Sequence, residues 1–312
     1  MYPLKSTFIF LIAFISTFII TKYFIKKFSE KGFTVKDMYK PEKPNIPTMG
    51  GLAILSGTLV ALIGSQILLP EFQLDKLLVF YFVIFIYGIF GLLDDLLNLS
   101  RTMKLILPFF LALPIAILNI DTRLDFFAIS IELGWIYKYI IAPMYVMVTA
   151  NLINMHSGYN GLSGGLATIL LIFIGIESYL ANPNTPFFFY LTPILGAMLA
   201  FMWFNKYPSK IFLGNSGTLL IGAAVGSAII LNNLEIFGVF ILIPHIINFL
   251  LWIYWIIKKY PHVKFAKVQL DGTIKPPNRL TLKYLLAHYF KVGELRSILI
   301  LYGITTIFGL LG

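Results

Sequence analysis

The run IYKYIIAPMYVMVTA, residues 136–150, is apolar enough for a membrane helix, and it leads directly into NLINMHSGYNGLSGG, residues 151–165. That junction decides the reading of the chain. An unpaired amide in hydrocarbon costs several kcal/mol, so Asn151, Asn154, Asn160 and His156 do not face lipid. They pair with one another, with water, or with a bound molecule. A greasy helix that ends in amides and glycines is a membrane helix opening onto a polar site.

The whole chain supports this. It has 312 residues, 58% hydrophobic and 12% charged, too few polar groups to cover a soluble globule. Apolar runs long enough to cross a bilayer, roughly 20 residues each, recur throughout. They do not alternate in polarity as barrel strands do. The expected fold is an all-α, polytopic transmembrane bundle forming one integral membrane domain over 1–312. About ten spanning helices fit the hydropathy. They cover 4–28, 48–69, 76–95, 103–120, 135–156, 163–181, 187–205, 213–232, 235–258 and 294–312. The first lacks a small-residue cleavage site and reads as retained. DTRLDFFAISIELG (121–134) alternates in part and reads as an external hairpin. No solenoid repeat is visible. With no cysteine, disulfides, thiolate metal sites and cysteine nucleophiles are excluded.

Charge sets the orientation. With both termini outside, twenty of the 24 Lys and Arg fall in loops on the inner side, and only Lys5, Lys76, Arg123 and Lys138 lie outside. The net charge of +10 is then largely a cytoplasmic field, suited to anionic headgroups or an anionic substrate. No basic soluble domain exists to hold nucleic acid. The polar, glycine-rich stretches sort to the same side, in loops 94–104, 150–164, 205–217 and 259–293. Four loops facing one compartment suggest one composite site.

Each loop carries residues suited to phosphate chemistry. Asp94 and Asp95 end an apolar helix, where carboxylates are costly unless solvated, paired or bound to a cation. Lys104, across a short loop, suits a phosphate beside them. Asn151 and Asn154, three residues apart, share a helix face and offer oxygens to a hard cation or amides to phosphate. Gly158 and Gly161 permit close backbone approach or positive φ. His156 reads as a local hydrogen-bonding residue. FLGNSG (212–217) opens another apolar helix, where backbone amides bind anions and Asn215 or Ser216 can cap. In PPNRL, Arg279 follows two prolines that stiffen the loop, and its guanidinium suits bidentate phosphate contact. The residues therefore describe a membrane-embedded cytoplasmic site for a phosphorylated substrate, working with Mg²⁺.

Taken in order, from IPTMGG (46–51) to PPNRL (276–280), these stretches resemble the polyprenyl-phosphate N-acetylhexosamine-1-phosphate transferases, and within them the dolichyl-phosphate GlcNAc-1-phosphate transferase branch of archaea and eukaryotes. The resemblance implies transfer of GlcNAc-1-phosphate from UDP-GlcNAc to a polyprenyl (dolichyl) phosphate, with release of UMP, at the start of N-glycan assembly. It implies Asp94 and Asp95 as catalytic aspartates with Asn98 beside them, and Lys104 on phosphate. Asn151 and Asn160 would position the nucleotide sugar, and Phe212 and the backbone near Gly158 would bracket uracil. Arg279 would hold pyrophosphate or sugar. Asn154 and position 215 would bind Mg²⁺, or Mn²⁺ in its place. Membrane lipids, a homodimer and a plasma-membrane location belong to the same expectation.

Two departures stand out. The family's F-x-G-D motif has aspartate where this chain has Asn215, an uncharged ligand expected to weaken Mg²⁺ binding. The histidine-rich last loop of the bacterial branches is replaced by PPNRLTLK, with His262 and His288 outside the core motif. Transfer of another UDP-N-acetylhexosamine phosphate for a cell-surface polymer is one alternative. A transporter is another, since acidic residues and broken helices also mark ion paths. Against transport, the polar groups gather at one face and no inverted repeat is apparent.

Overall fold

The computed structural model describes residues 2–68, 74–126, 129–181, 187–259, 263 and 265–312. His262, Lys264, the last residue of the expected 48–69 span and residues 127–128 of the expected hairpin lie outside them.

The chain begins with α1 (Tyr2–Glu30), a small antiparallel ribbon of β1 (Thr34–Lys36) and β2 (Asn45–Pro47), then α2 (Gly51–Leu68), α3 (Leu74–Leu97) and α4 (Arg101–Ala112). A 3₁₀ turn, Leu113–Ile117, leads to a hairpin of β3 (Arg123–Phe126) and β4 (Ile129–Glu132), at the place where alternation in the sequence predicts one. A single turn, α5 (Gly134–Ile136), runs through a π turn into α6 (Ala142–Met155). Then follow α7 (Leu162–Ala181), α8 (Phe187–Asn205), α9 (Gly214–Leu231), α10 (Glu235–Ile241) and α11 (Ile243–Ile257). The short pair β5 (Lys267–Val268) and β6 (Ile274–Lys275) precedes α12 (Leu282–Phe290) and α13 (Glu294–Leu311).

The all-α bundle is as expected, but the span count is lower than ten. Among the described residues six helices are long and apolar enough to cross a membrane, and the bent pair α10–α11 makes a seventh if taken as one span. Three causes account for the difference. Twelve residues of α4 reach only about 18 Å, and Pro108 and the 3₁₀ turn with Pro114 prevent its extension as one regular helix. The expected 235–258 span bends by 64° between α10 and α11, with Pro244 at the second helix's start. Within α2 and α8, the stretches Gly51–Ile67 and Tyr190–Asn205 are apolar but shorter. Hydropathy reports how greasy a segment is, and it does not report where the helix breaks.

Helix α9 is the axis of the bundle, buried from Ser216 to Ile230. It packs mainly on α3 and α6, while α1 packs on α2 and α8 as a second layer. Small residues make the close approach possible. A Cβ on Gly222 would come within 2.6 Å of the Ala150 Cα, and one on Gly226 within 2.9 Å of the Val146 Cα. In lipid, helices associate through such small-residue faces because apolar surface alone gives no driving force between them. Leu11, Ile15 and Ile19 of α1 and Leu299 and Leu310 of α13 stay exposed, as lipid-facing side chains do.

Candidate active site

The ends of α3, α6 and α9 and the start of α4 meet at one end of the bundle. Ser100 caps α4 by accepting from the Met103 N–H at 3.3 Å, which directs Lys104 back toward α3. The Lys104 ammonium lies 2.8 Å from Asp94 Oδ1. That oxygen also accepts the Leu99 N–H at 3.0 Å, and Asp94 Oδ2 accepts the Asn215 side-chain amide at 2.9 Å. The Asp94 side chain is buried. Asp95 accepts the backbone N–H groups of Asn215 (2.8 Å) and Ser216 (3.0 Å) on its two oxygens. The first turn of α9 is thus capped from α3, rather than by Asn215 or Ser216, and the carboxylate gains from the helix dipole. Gly91 lets this happen, since a Cβ there would collide with the Asn215 carbonyl. On the facing side, Asn154 Oδ1 accepts from the Thr218 hydroxyl at 2.7 Å.

Part of this cluster opens onto a cleft of about 340 Å³, whose lining does not include Asp94 or Lys104. Asp95, Asn154, Asn215 and Thr218 form its polar end. Phe212, Gly158 and Tyr159 form the other, closed by the first ribbon at Lys36–Tyr39 and by Phe265. Phe212 is held by its backbone, its N–H donating to the Pro47 carbonyl at 2.8 Å and its own carbonyl accepting the Gly50 N–H at 2.9 Å. Gly158 has φ +100°, a conformation that favours glycine. Asn205 also lines the cleft. Its amide donates to the Ile211 carbonyl at 2.8 Å, and its buried Oδ1 has no partner among the described residues. A buried acceptor left empty is costly, and a ligand N–H would reach this one only if the wall that seals it opened.

Behind the aromatic end lies a buried polar network. Asn160 donates its side-chain amide to Asp37 (3.1 Å) and Glu294 (2.7 Å), its backbone N–H to Glu294 (2.7 Å), and accepts the Ser209 N–H (2.7 Å) on Oδ1. Lys40 pairs with Glu294 and lies 3.5 Å from Asp37, over the Tyr207 ring. Residues far apart in sequence are thereby tied to the asparagine–glycine loop.

The structure places Asp95, Asn154, Asn215, Gly158, Asn160 and Phe212 in the cleft lining, and ties Asp94 and Lys104 to it through the Asn215 amide. Three expected site residues stand apart in this geometry. Asn98 is exposed with φ +51°, and it terminates α3. Asn151 folds its amide back onto the Met147 carbonyl at 3.0 Å. Arg279 is exposed and donates to the Tyr289 hydroxyl at 3.2 Å. His156 does not make the local hydrogen bonds expected of it. It packs edge-to-face on His245, with centroids 4.7 Å apart, and neither ring nitrogen has a partner among the described residues. Sequence reasoning missed Asn205, Asp37, Lys40 and Glu294. The only signal for Asn205 is its place seven residues before Phe212, at the end of an apolar run. The KDMYK stretch containing Asp37 and Lys40 looks like any inner, positively charged loop.

The donor set suits a hard cation. Two carboxylates, two amide oxygens and a hydroxyl are oxygen ligands of the kind Mg²⁺ takes. Among the described residues no group of three Asp, Glu, His or Cys could hold a metal. An ion held here would therefore have to complete its shell with water and substrate phosphate.

Residues 77–233, from α3 to just past α9, match the sequence pattern of glycosyl transferase family 4. The chain belongs to that family. The matched region contains both carboxylates, Lys104, the asparagine–glycine loop and Asn215. A Saccharolobus solfataricus protein provisionally named UDP-N-acetylglucosamine–dolichyl-phosphate N-acetylglucosaminephosphotransferase is 30% identical over 96% of this chain and 94% of its own length. A Sulfolobus acidocaldarius protein with the same provisional name is 30% identical over 96% and 93%. A phospho-N-acetylmuramoyl-pentapeptide-transferase of Wolbachia pipientis is 30% identical over 74% of this chain and 76% of its own. With its apolar helices, this family 4 chain is an integral membrane transferase.

Proposed function

We propose that the chain transfers GlcNAc-1-phosphate from UDP-GlcNAc to a polyprenyl (dolichyl) phosphate, giving a lipid-linked pyrophosphoryl sugar and UMP, the first step of N-glycan precursor assembly. The observation that carries this reading is a single cleft lined both by Asp95, Asn154, Asn215 and Thr218 and by Phe212, Gly158 and Tyr159, polar and aromatic groups in one space, which suits a diphosphate joined to a base. The archaeal relatives support it, because their similarity covers nearly the whole chain, whereas that to the muramoyl-pentapeptide enzyme covers less. A different UDP-N-acetylhexosamine is the second reading, favoured by that last relative.

In this reading an oxygen of the lipid phosphate attacks the sugar-bearing phosphorus of UDP-GlcNAc. A new P–O bond forms, the bond to the oxygen bridging the two phosphorus atoms breaks, and UMP leaves with that oxygen. Such transfer needs positioning and charge neutralisation more than covalent chemistry. Lys104 neutralises phosphate charge, and Asp94 orients both Lys104 and the Asn215 amide. Asp95 is fixed by the first turn of α9 at the edge of the cleft. Phe212 and Gly158 bracket uracil, and Asn205 Oδ1 accepts a base N–H once the wall that seals it opens. Asn154 and Asn215, beside Asp95, would hold Mg²⁺ or Mn²⁺. The cation supplies charge neutralisation on the diphosphate. The chain would work as one integral membrane domain, with or without a homodimer partner, its site on the cytoplasmic face of the plasma membrane where the inner Lys and Arg fall.

Purified protein given labelled UDP-GlcNAc, polyprenyl phosphate and Mg²⁺ should pass label into the organic phase. Label that stays aqueous with UDP-GlcNAc and moves with another UDP-N-acetylhexosamine would select the second reading.

A further inference from the structure

Lys283, on the first turn of α12, has no place in the scheme above. Its ammonium donates to the Ser157 carbonyl at 2.8 Å and occupies the space that a Gly158 side chain would fill. Three tyrosine rings surround it, those of Tyr159, Tyr284 and Tyr39, with centroids at 5.0, 5.4 and 5.9 Å. Among the described residues no carboxylate lies within 4.0 Å of it. Glu294 acts on it only at longer range. A half-buried cation without an ion-pair partner costs something to keep charged, and burial lowers the Lys283 pKa to about 8. Aromatic faces compensate in part.

The helix that carries Lys283 is fixed from three directions. Thr281 caps it, Asn248 of α11 accepts the Leu282 N–H at 3.0 Å, and the Tyr284 hydroxyl lies 3.0 Å from that of Tyr39. Lys283 therefore reaches Ser157 from a rigid base, and Ser157, Gly158 and Tyr159 line the cleft.

We propose that Lys283 is a positioning residue for nucleotide binding: through the Ser157 carbonyl it sets the shape of the Ser157–Tyr159 floor that takes the base, and from there its charge favours a ligand whose other half is an anionic diphosphate. The inference rests on the proposed function, because it takes a uridine diphosphate as the ligand. It also explains Gly158 by two separate demands, positive φ and room for the ammonium.

The test is UDP binding to the full-length, detergent-solubilised protein by calorimetry, together with transfer kinetics. Lys283→Met should weaken UDP about tenfold and raise KM for UDP-GlcNAc by a similar factor, with kcat changed less than threefold. Lys283→Gln keeps a donor without the charge and should lie between the two. A residue that only stabilised the fold would lower the melting temperature without separating KM from kcat. The pH profile adds a second readout. Wild-type affinity should fall as pH rises from 7 to 9, because the charged ammonium favours the anion and is lost through its pKa. Of the groups facing it, the Tyr39, Tyr159 and Tyr284 phenols are all pushed up by burial, the His156 imidazole is pushed well down by burial, and Lys40 is paired with Glu294. The part of the fall due to Lys283 is what Lys283→Met removes. If Lys283→Met does not fold, Lys283→Gln carries the comparison. Affinity within twofold of wild type in the folded variants overturns the inference alone. Wild-type protein that binds no UDP overturns the functional reading and the inference with it.

Discussion

The two ends of the cleft are built on opposite plans. At the polar end the charges line the site or stand next to it, and each is held in place. Asp94 takes three hydrogen bonds, Asp95 takes two backbone N–H groups, and Lys104 leans on Asp94. At the aromatic end the charges stand mostly behind the wall. Lys40, Glu294 and Lys283 brace the floor, and the surface presented is glycine, aromatic ring and amide, with Lys36 and the paired Asp37 beside them. The difference teaches a division of labour. A diphosphate and its cation need fixed charge that costs no reorganisation. A neutral base needs a flat apolar slot and a few satisfied polar contacts, and a bare carboxylate there would be left desolvated and unpaired.

That comparison breaks most sharply at Asp94. Asp94→Asn replaces an acceptor-only group with one that points N–H donors at Lys104 or at the Asn215 amide. Transfer should fall on the order of 10³-fold or more. Lys104→Ala should follow, lowering kcat by about 10² to 10³, with a lower melting temperature as well, because buried Asp94 loses its ion-pair partner. A near-normal rate would return Lys104 to a simple inner-loop lysine.

Asn215→Asp sharpens the comparison instead. Here the amide donates to Asp94, so the polar end holds two carboxylates without a third. An aspartate would crowd three anions together. Without divalent cation the variant should melt lower than wild type, and with Mg²⁺ the order should reverse, with apparent Mg²⁺ affinity roughly tenfold tighter. Thermal melts with and without Mg²⁺ decide this independently of turnover. Equal responses of variant and wild type to Mg²⁺ would remove position 215 from the metal's contacts.

The smallest effect belongs to the aromatic end. Asn205→Leu removes the empty acceptor at similar volume. UDP affinity should drop about tenfold and the preference for UDP over CDP should shrink, since uracil offers an N–H where cytosine offers a lone pair. Unchanged discrimination would place the base elsewhere.

The polar end was largely legible in the sequence. Asp94, Asp95, Lys104, Asn154 and Asn215 are polar residues at the ends of apolar runs, and such residues announce themselves against a greasy background. The brace behind the other end was not. Asp37, Lys40, Glu294 and Lys283 sit among the many charges of the inner loops, and only the fold distinguishes a charge sealed against Asn160 or Ser157 from one in water. The bundle was legible as a class but not in span number, because the bend between α10 and α11 and the early end of α4 depend on local backbone breaks that hydropathy does not register.

The measurement that bears most directly on the divided cleft is UDP binding to Asp94→Asn. If the charged end serves the chemistry and the neutral end holds the nucleotide, this variant binds UDP within about threefold of wild type while transferring no sugar phosphate, and Asn205→Leu shows the reverse emphasis. Loss of UDP binding in folded Asp94→Asn as severe as its loss of transfer would contradict the account.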